Sequence, residues 1–334
     1  MGIKGRVLVT GGAGYIGSHA VLALLSAGYS VTVLDNLSTG FEWAVPDNAS
    51  FVKGDVGDEQ LIRELLSVNN ITAIMHFAGS IIVPESVLDP LKYYRNNSAN
   101  SRALIDVAIQ CGVKHFIFSS TAATYGVPDA SPIGENVEKK PINPYGMSKL
   151  MTEVMLHDVS KVHDLNYCVF RYFNVAGADP LGRSGQSTTG ATHLIKVAVE
   201  AFLGLREHVC VYGTDYDTTD GTGVRDYVHV SDLADAHVLA LEKLIESSDK
   251  SYILNCGYGK GFSVLEVLDS VDRVTGQKVI RKIEGRRPGD PSCLVADNSA
   301  ILATLPWRPK FDDIDEIIRH ALEWERFLLK RKLV

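Results

Sequence analysis

No run of apolar residues in this chain approaches the roughly 20 that a membrane-crossing helix needs, which excludes a spanning segment. The amino terminus lacks the layout of a signal peptide; residues 6–10, Arg-Val-Leu-Val-Thr, read as a strand. Cysteine is scarce and scattered: Cys111, Cys168, Cys210, Cys256 and Cys293 lie far apart and form no CxxC. That pattern excludes a disulfide framework and suits reduced packing residues in the cytoplasm. The histidines make no HExxH. The acidic loop Asp215-Tyr216-Asp217-Thr218-Thr219-Asp220 lacks the glycine and closing glutamate of a calcium loop, so no metal is expected. Basic charge is also short. The net charge is −7, and the only basic run, Lys330-Arg331-Lys332, reads as a solvated tail, so no nucleic-acid partner is expected.

What is present is a large core and a regular alternation. The 334 residues are 46% hydrophobic and 22% charged, enough for one big domain or two smaller ones. Short β-branched runs at 6–10, 31–34, 51–53, 73–77, 115–119 and 167–172 predict strands. Helical patterns at 18–27, 59–68, 91–111 and 145–161 lie between them. Such alternation implies right-handed βαβ units in a Rossmann-like, doubly wound parallel sheet of the α/β class. Ligands sit at the carboxyl ends of such strands. Beyond about residue 175 the pattern loosens, with helical patches at 193–203, 231–247, 264–275 and 314–329. Residues 1–175 are expected to form the dinucleotide domain, with a later stretch near 225–250 returning to it. Residues 176–334 are expected to be mainly a smaller α/β substrate-binding lobe.

Gly11, Gly14 and Gly17 directly follow a strand and open a helix in G-x-x-G-x-x-G spacing. Glycine permits the tight turn and close backbone approach, and the helix amino terminus faces an anion such as a pyrophosphate. Alone, such a segment is also simply a turn. Asp35 decides more. It ends the second strand, where a carboxylate binds the ribose hydroxyls of an adenosine and repels a 2′-phosphate. Residues 36–40 contain no arginine to receive that phosphate, so NAD is expected rather than NADP. Asp55, ending the third strand, either reaches the adenine or is a solvated strand end.

Tyr145 and Lys149 stand four apart on a helix and project from one face. An ammonium beside a phenol favours the phenolate, so the pair can exchange protons near neutral pH. The strand end Ser119-Ser120-Thr121 adds hydroxyls that could converge on the same substrate oxygen.

In this order the motifs resemble the extended short-chain dehydrogenase/reductase superfamily and, within it, the UDP-glucose 4-epimerase family. The resemblance runs from about residue 5 to about 325. It is carried by VTGGAGYIGSH, Asp35-Asn36-Leu37, His76-Phe77-Ala78-Gly79, Pro84-Glu85-Ser86, Tyr93-Tyr94-Arg95-Asn96-Asn97, Ser119-Ser120-Thr121, Tyr145–Lys149, Arg171-Tyr172-Phe173-Asn174, and Asp220 through Tyr227. It implies reversible C4 epimerisation of UDP-glucose and UDP-galactose through a transient 4-keto sugar. Tyr145 would take the 4-hydroxyl proton while C4 gives hydride to tightly bound NAD, and the keto sugar would turn over and recover the hydride on its other face. Thr121 would hydrogen-bond the reacting oxygen. Lys149 would bind the nicotinamide ribose and lower the Tyr145 pKa.

Matching the family's motifs residue by residue, Tyr15, Ile16, Asn36, Val56, Phe77, Ala78, Gly79, Asn96, Ser119 and Tyr172 would also line the NAD. Asn174, His193, Leu194, Tyr212, Arg225, Tyr227, Arg287 and Asp290 would hold the UDP group. Singly, Arg225 and Arg287 read equally as surface charges. Ile81 falls where a lysine is common, so one polar contact near the cofactor is missing. Leu294 falls where some relatives close the sugar pocket with a tyrosine, so bulkier C2 substituents could enter; UDP-N-acetylhexosamines and UDP-pentoses are further possible substrates. A 4,6-dehydratase or decarboxylase carries acidic groups just after the threonine, where this chain has Ala122-Ala123. A plain alcohol dehydrogenase and a non-catalytic NAD-binding regulator are the other readings. The family pairs the helices at 91–111 and 145–161 across a two-fold axis, which implies a homodimer.

Overall fold

The protein is described by a computed structural model covering residues 4–247, 249–287 and 289–332, with the Lys332 side chain outside the description. Pro288 of the Arg-Arg-Pro-Gly-Asp segment and residues 333–334 of the expected lobe lie outside the described residues.

Seven strands make one parallel sheet: β1 (Arg6–Thr10), β2 (Ser30–Asp35), β3 (Ser50–Lys53), β4 (Ala73–His76), β5 (His115–Thr121), β6 (Asn166–Tyr172) and β10 (Tyr252–Cys256). Their order is β3-β2-β1-β4-β5-β6-β10. The helices on its two faces are α1 (Tyr15–Ser26), α2 (Glu59–Val68), α3 (Val83–Leu88), α4 (Pro90–Tyr93), α5 (Asn100–Gln110), α6 (Pro144–Val159) and α8 (Val230–Glu246). Successive side chains of a strand face opposite ways. Val7 and Val9 therefore enter one core with α1 and α8, while Leu8 enters the other with α2, α5 and α6. Burial on both faces explains why β6 is buried at every position, its two polar residues Asn166 and Arg171 included. The order reverses around β1, so the crevice for a ligand opens beyond the ends of β1 and β4.

The remaining elements are β7 (Asn174–Ala176), α7 (Leu194–Phe202), β8 (Val209–Tyr212), β9 (Val224–His229), β11 (Gly261–Ser263), α9 (Val264–Thr275), β12 (Arg281–Glu284), β13 (Cys293–Leu294), α10 (Ser299–Thr304) and α11 (Ile314–Lys332). Strands β7, β11 and β13 all pair with β9, and β8 pairs with β12. A third core gathers α7, α9 and α11 over Val209, Val211 and Tyr227.

Three expectations shift. The helix predicted at 91–111 is α4, a π-helical turn at Tyr94–Ala99, and α5. The turn lets Asn97 leave the helix face, accept from the Ser80 amide at 2.8 Å and donate to the Ser148 hydroxyl at 3.0 Å. The strand predicted at 115–119 continues to Thr121, because Ser120 and Thr121 pair with Arg171 and Tyr172. Finally, the basic tail is not wholly solvated: the Arg331 guanidinium covers the Trp43 ring at 4.5 Å.

Candidate active site

The glycine turn fits a dinucleotide because there is no room for side chains within it. Gly11 has φ +71°, and a Cβ there would stand 2.6 Å from the Ala78 amide nitrogen. A Cβ on Gly17 would meet the Gly11 carbonyl oxygen at 2.2 Å. The turn therefore presses flat on Ala78, beside Phe77 and Gly79 at the end of β4. Gly14 caps α1 with no side-chain hydrogen bond and no acidic residue in the first turn, which leaves the helix amino terminus open to an anion. Tyr15 and Ile16 form that first turn; the Tyr15 hydroxyl donates to the Gly177 carbonyl at 2.7 Å.

Asp35 is buried at the end of β2. One carboxylate oxygen accepts from the Ala13 amide at 3.0 Å and the other from Leu37 at 2.8 Å, which aims the carboxylate and leaves lone pairs for a ribose diol. Asp55 is turned to protein donors instead: Asn36 at 2.8 Å, Gly57 at 2.8 Å and Asn100 at 3.2 Å. It anchors Asn36, while Val56 beside it is buried in the second core. Asn96, on the π-helical turn, donates to the Ser80 hydroxyl at 2.8 Å.

The chemical side chains converge between β5 and α6. Asn143 caps α6 through the Gly146 amide at 2.9 Å, with Pro144 at the first position, so the helix begins beside Tyr145. The Thr121 hydroxyl oxygen accepts from the Ala123 amide at 3.1 Å and lies in hydrogen-bonding reach of the Tyr145 phenol. The Lys149 ammonium donates to the Ser119 carbonyl at 2.8 Å and sits 4.9 Å above the Phe118 ring. A Cβ on Gly79 would stand 3.6 Å from its Nζ. Tyr172 completes this wall: His237 gives its Nδ1 proton to the Leu233 carbonyl at 2.8 Å, so its Nε2 accepts from the Tyr172 hydroxyl.

The electrostatics differ from expectation in one respect. Burial raises the Tyr145 pKa, and the counteracting group is Thr121 rather than Lys149. Burial also lowers Lys149 to about 8, with the Glu153 carboxylate opposing that fall. In the structure, then, the ammonium is drawn to the Ser119 carbonyl, and the phenol remains a phenol.

The expected UDP residues fall into two groups. Asn174, His193, Leu194 and Tyr227 line a cleft between β7, α7 and α11, with His193 hydrogen-bonded to Gln186 at 2.7 Å. Asn174 is paired in register with Tyr227. The second group is charged: Arg225 is ion-paired with Asp290, and the Arg287 guanidinium lies 3.7 Å from the Tyr212 ring centre. Leu294 pairs in register with Arg225 and packs against the cluster of Ala122, Tyr125 and Phe173.

Sequence reasoning overlooked Glu153, Tyr125 and His237, and offered Ser120 as a hydroxyl for the substrate rather than as a partner of Glu153. The available signal was an arginine, Arg171, near the end of a mostly apolar strand, which requires a buried partner.

A parallel sheet with an open glycine turn, an aimed strand-end carboxylate and a Thr-Tyr-Lys group defines an NAD-dependent enzyme of the extended short-chain dehydrogenase/reductase class. Residues 7–257 match the model of the NAD dependent epimerase/dehydratase family, and the chain belongs to that family. It is 54% identical to a UDP-glucose 4-epimerase of Azospirillum brasilense, over 97% of this chain and 92% of that one. A UDP-glucose 4-epimerase structure from Stenotrophomonas maltophila, with NAD and formylated UDP-arabinopyranose bound, superposes with a TM-score of 0.95 at 37% identity, covering 98% of this chain and 99% of that one. The UDP-Glc/GlcNAc 4-epimerase of Campylobacter jejuni gives 0.85 at 45% identity, covering 97% and 99%.

Proposed function

We propose that the chain interconverts UDP-glucose and UDP-galactose at C4, using NAD that stays bound through turnover. The observation that carries this is the convergence of Thr121, Tyr145 and Lys149 at the end of β5, beside a glycine turn fitted to a dinucleotide. NAD, when bound, supplies a cationic nicotinamide that accepts the C4 hydride and returns it.

The side chains handle the proton and the grip. Tyr145 Oη first loses its own proton, its phenolate favoured by the Lys149 ammonium and by the positive charge of NAD when bound; it then takes the proton of the sugar 4-hydroxyl and later returns it. Because Thr121 Oγ1 already accepts from Ala123, its own proton is free for the reacting oxygen. Lys149 holds a positive charge beneath the cofactor site and binds the ribose. Gly11–Gly17, Asp35, Asn36, Asn96, Phe77 and Tyr172 position the dinucleotide. Arg225 and Arg287 grip the diphosphate, since a guanidinium fork matches phosphate oxygens. The sugar meets apolar walls, Leu294, Ala122 and Phe173, which offer no fixed hydrogen bonds. A firm grip on the diphosphate and a smooth wall at the sugar let the 4-keto ring turn.

Elimination is disfavoured. Ala122 and Ala123 follow Thr121 directly, the Ala123 amide is bound back to Thr121, and neither residue can serve as acid or base. The assay is conversion of UDP-galactose, UDP-N-acetylgalactosamine and UDP-xylose by the purified protein without added NAD. We expect the 4-epimers of UDP-galactose and of at least one bulkier or smaller sugar, and loss of about 10²–10⁴-fold in kcat in Tyr145→Phe with NAD retained. No epimer from any substrate, with NAD bound, would overturn the reading.

The same reading places the enzyme in galactose metabolism. Five free cysteines, two of them fully buried, suit a reducing cytoplasm. We further propose a homodimer through α5 and α6, whose outer face leaves Met151 and Val154 42% and 52% exposed. A monomer mass independent of concentration in sedimentation would refute it.

A further inference from the structure

Glu153 stands one turn beyond Lys149 on α6, and Arg171 lies next to the carboxyl end of β6. Their side chains are 3% and 2% exposed, and Arg171 Nη2 meets Glu153 Oε2 at 2.6 Å. Arg171 Nε reaches both carboxylate oxygens, at 3.1 and 3.2 Å. The Ser120 hydroxyl, next to Thr121, donates to the same carboxylate. Arg171 Nη1 donates to the Tyr125 hydroxyl at 2.9 Å and the Glu135 carbonyl at 3.1 Å, and Tyr125 passes on to Asn255 at 2.7 Å. The network thus ties the end of β5, the catalytic helix, β6, the loop after Thr121 and β10. Burying two charges is expensive, and an apolar pair of equal volume would often pack as well or better. Packing alone does not account for them.

We propose that Glu153 and Arg171 are a positioning pair for the proton-handling site. Glu153 sustains the ammonium of Lys149, and Arg171 clamps the Glu153 carboxylate while fixing the strand end and loop that carry Thr121. The inference rests on reading Lys149 as a cation required for turnover.

The surroundings of Lys149 leave this task to Glu153. From β5 come the Ser119 carbonyl and the Phe118 ring, which stabilise a cation but carry no charge. From β4 comes His76, which burial, with the Lys149 charge as a lesser cause, lowers to about 3, so it is neutral. On α6 itself, Tyr145 is raised by burial and is an uncharged phenol. The segment after β4 brings only the Gly79 backbone. Burial drives the Lys149 pKa down to about 8, and the Glu153 carboxylate is the charge that resists. Without it, Lys149 loses its proton at lower pH, and the alkaline limb of turnover moves down.

Glu153→Gln alone strands a buried guanidinium and threatens the fold. The decisive variant is therefore Glu153→Met with Arg171→Met, which removes both charges at similar volume. Measure kcat against pH with UDP-galactose, together with bound NAD and the thermal midpoint. We expect a folded, NAD-bearing enzyme whose alkaline limb lies about one pH unit lower, with kcat on that side down about tenfold. KM should change by no more than about twofold. A folded double variant with the wild-type limb would show a merely structural pair and overturn the proposal. Should the double variant not fold, Glu153→Asp, which keeps the charge, must hold the wild-type limb while Glu153→Gln shifts it; equal limbs overturn the proposal. Lys149→Met run alongside separates the two readings. Wild-type turnover there fells the site reading and the pair with it, whereas an inactive Lys149→Met beside an unshifted double variant fells the pair alone.

Discussion

Two of the molecule's arginine–carboxylate pairs look alike in sequence and differ in what surrounds them. Arg171 and Glu153 are 2% and 3% exposed, and the guanidinium has further bonds to Tyr125 and the Glu135 carbonyl. Arg225 and Asp290 are 14% and 33% exposed, and beyond Asp290 the Arg225 side chain meets only the adjacent Val224 carbonyl, at 2.8 Å. The first pair is saturated and lies between helix α6 and strand β6, so it can only position. The second is part-exposed with donors to spare, so under the proposed function it exchanges its carboxylate for an anion. Burial separates a structural charge from a recognising one. The residue type does not.

Arg225→Met breaks the comparison on the recognising side. Hydrogen bonds to a charged group contribute about 1.5–3 kcal/mol, so kcat/KM for UDP-galactose should fall roughly 10- to 150-fold. The fall should appear as a raised KM and weaker UDP binding by calorimetry, with bound NAD unchanged, because Arg225 touches no group of the glycine turn. A fall in kcat at unchanged KM would place Arg225 in the chemistry and collapse the distinction between the two pairs.

The two halves were also unequally legible. Where strands are buried on both faces and helices intervene, apolar runs and glycine spacing expose the architecture, and β1, α1, β2 and Asp35 could be located to within a few residues. The proton-handling trio lies on such elements and could be read too. Strands β7, β8, β9 and β11–β13 could not, because they lie outside the regular strand–helix alternation and gain their partners from distant segments. Strand β10 escaped for the same reason, although it completes the main sheet beside β6. The Glu153–Arg171 pair was hidden differently. A Glu four places beyond a Lys on a helix ordinarily reads as a surface pair, and only the packing of α6 onto β5 and β6 turns it inward. The Tyr145 pKa was missed because spacing shows proximity to Lys149 but not the competing Ser119 carbonyl.

A smaller effect is expected at Leu294, where the positioning and recognising halves meet. Its partners are Ala122 and Tyr125 from the turn after Thr121, and Phe173 from the strand end beyond Tyr172. Pairing with Arg225 fixes its distance from the diphosphate end, so its side-chain size sets the room left around the sugar. In Leu294→Tyr the added ring fills that room. Overpacking costs about 1–3 kcal/mol, so turnover of UDP-N-acetylgalactosamine should fall about tenfold or more relative to UDP-galactose. The change belongs to one substrate because the acetamido group needs the space and a hydroxyl does not. The check is the ratio of kcat/KM for the two substrates, with bound NAD and the alkaline limb both unaltered. Equal losses on the two would mean that the ring displaces Phe173 or Ala122 and disturbs Thr121, and the sugar wall would then belong to the positioning half rather than to recognition.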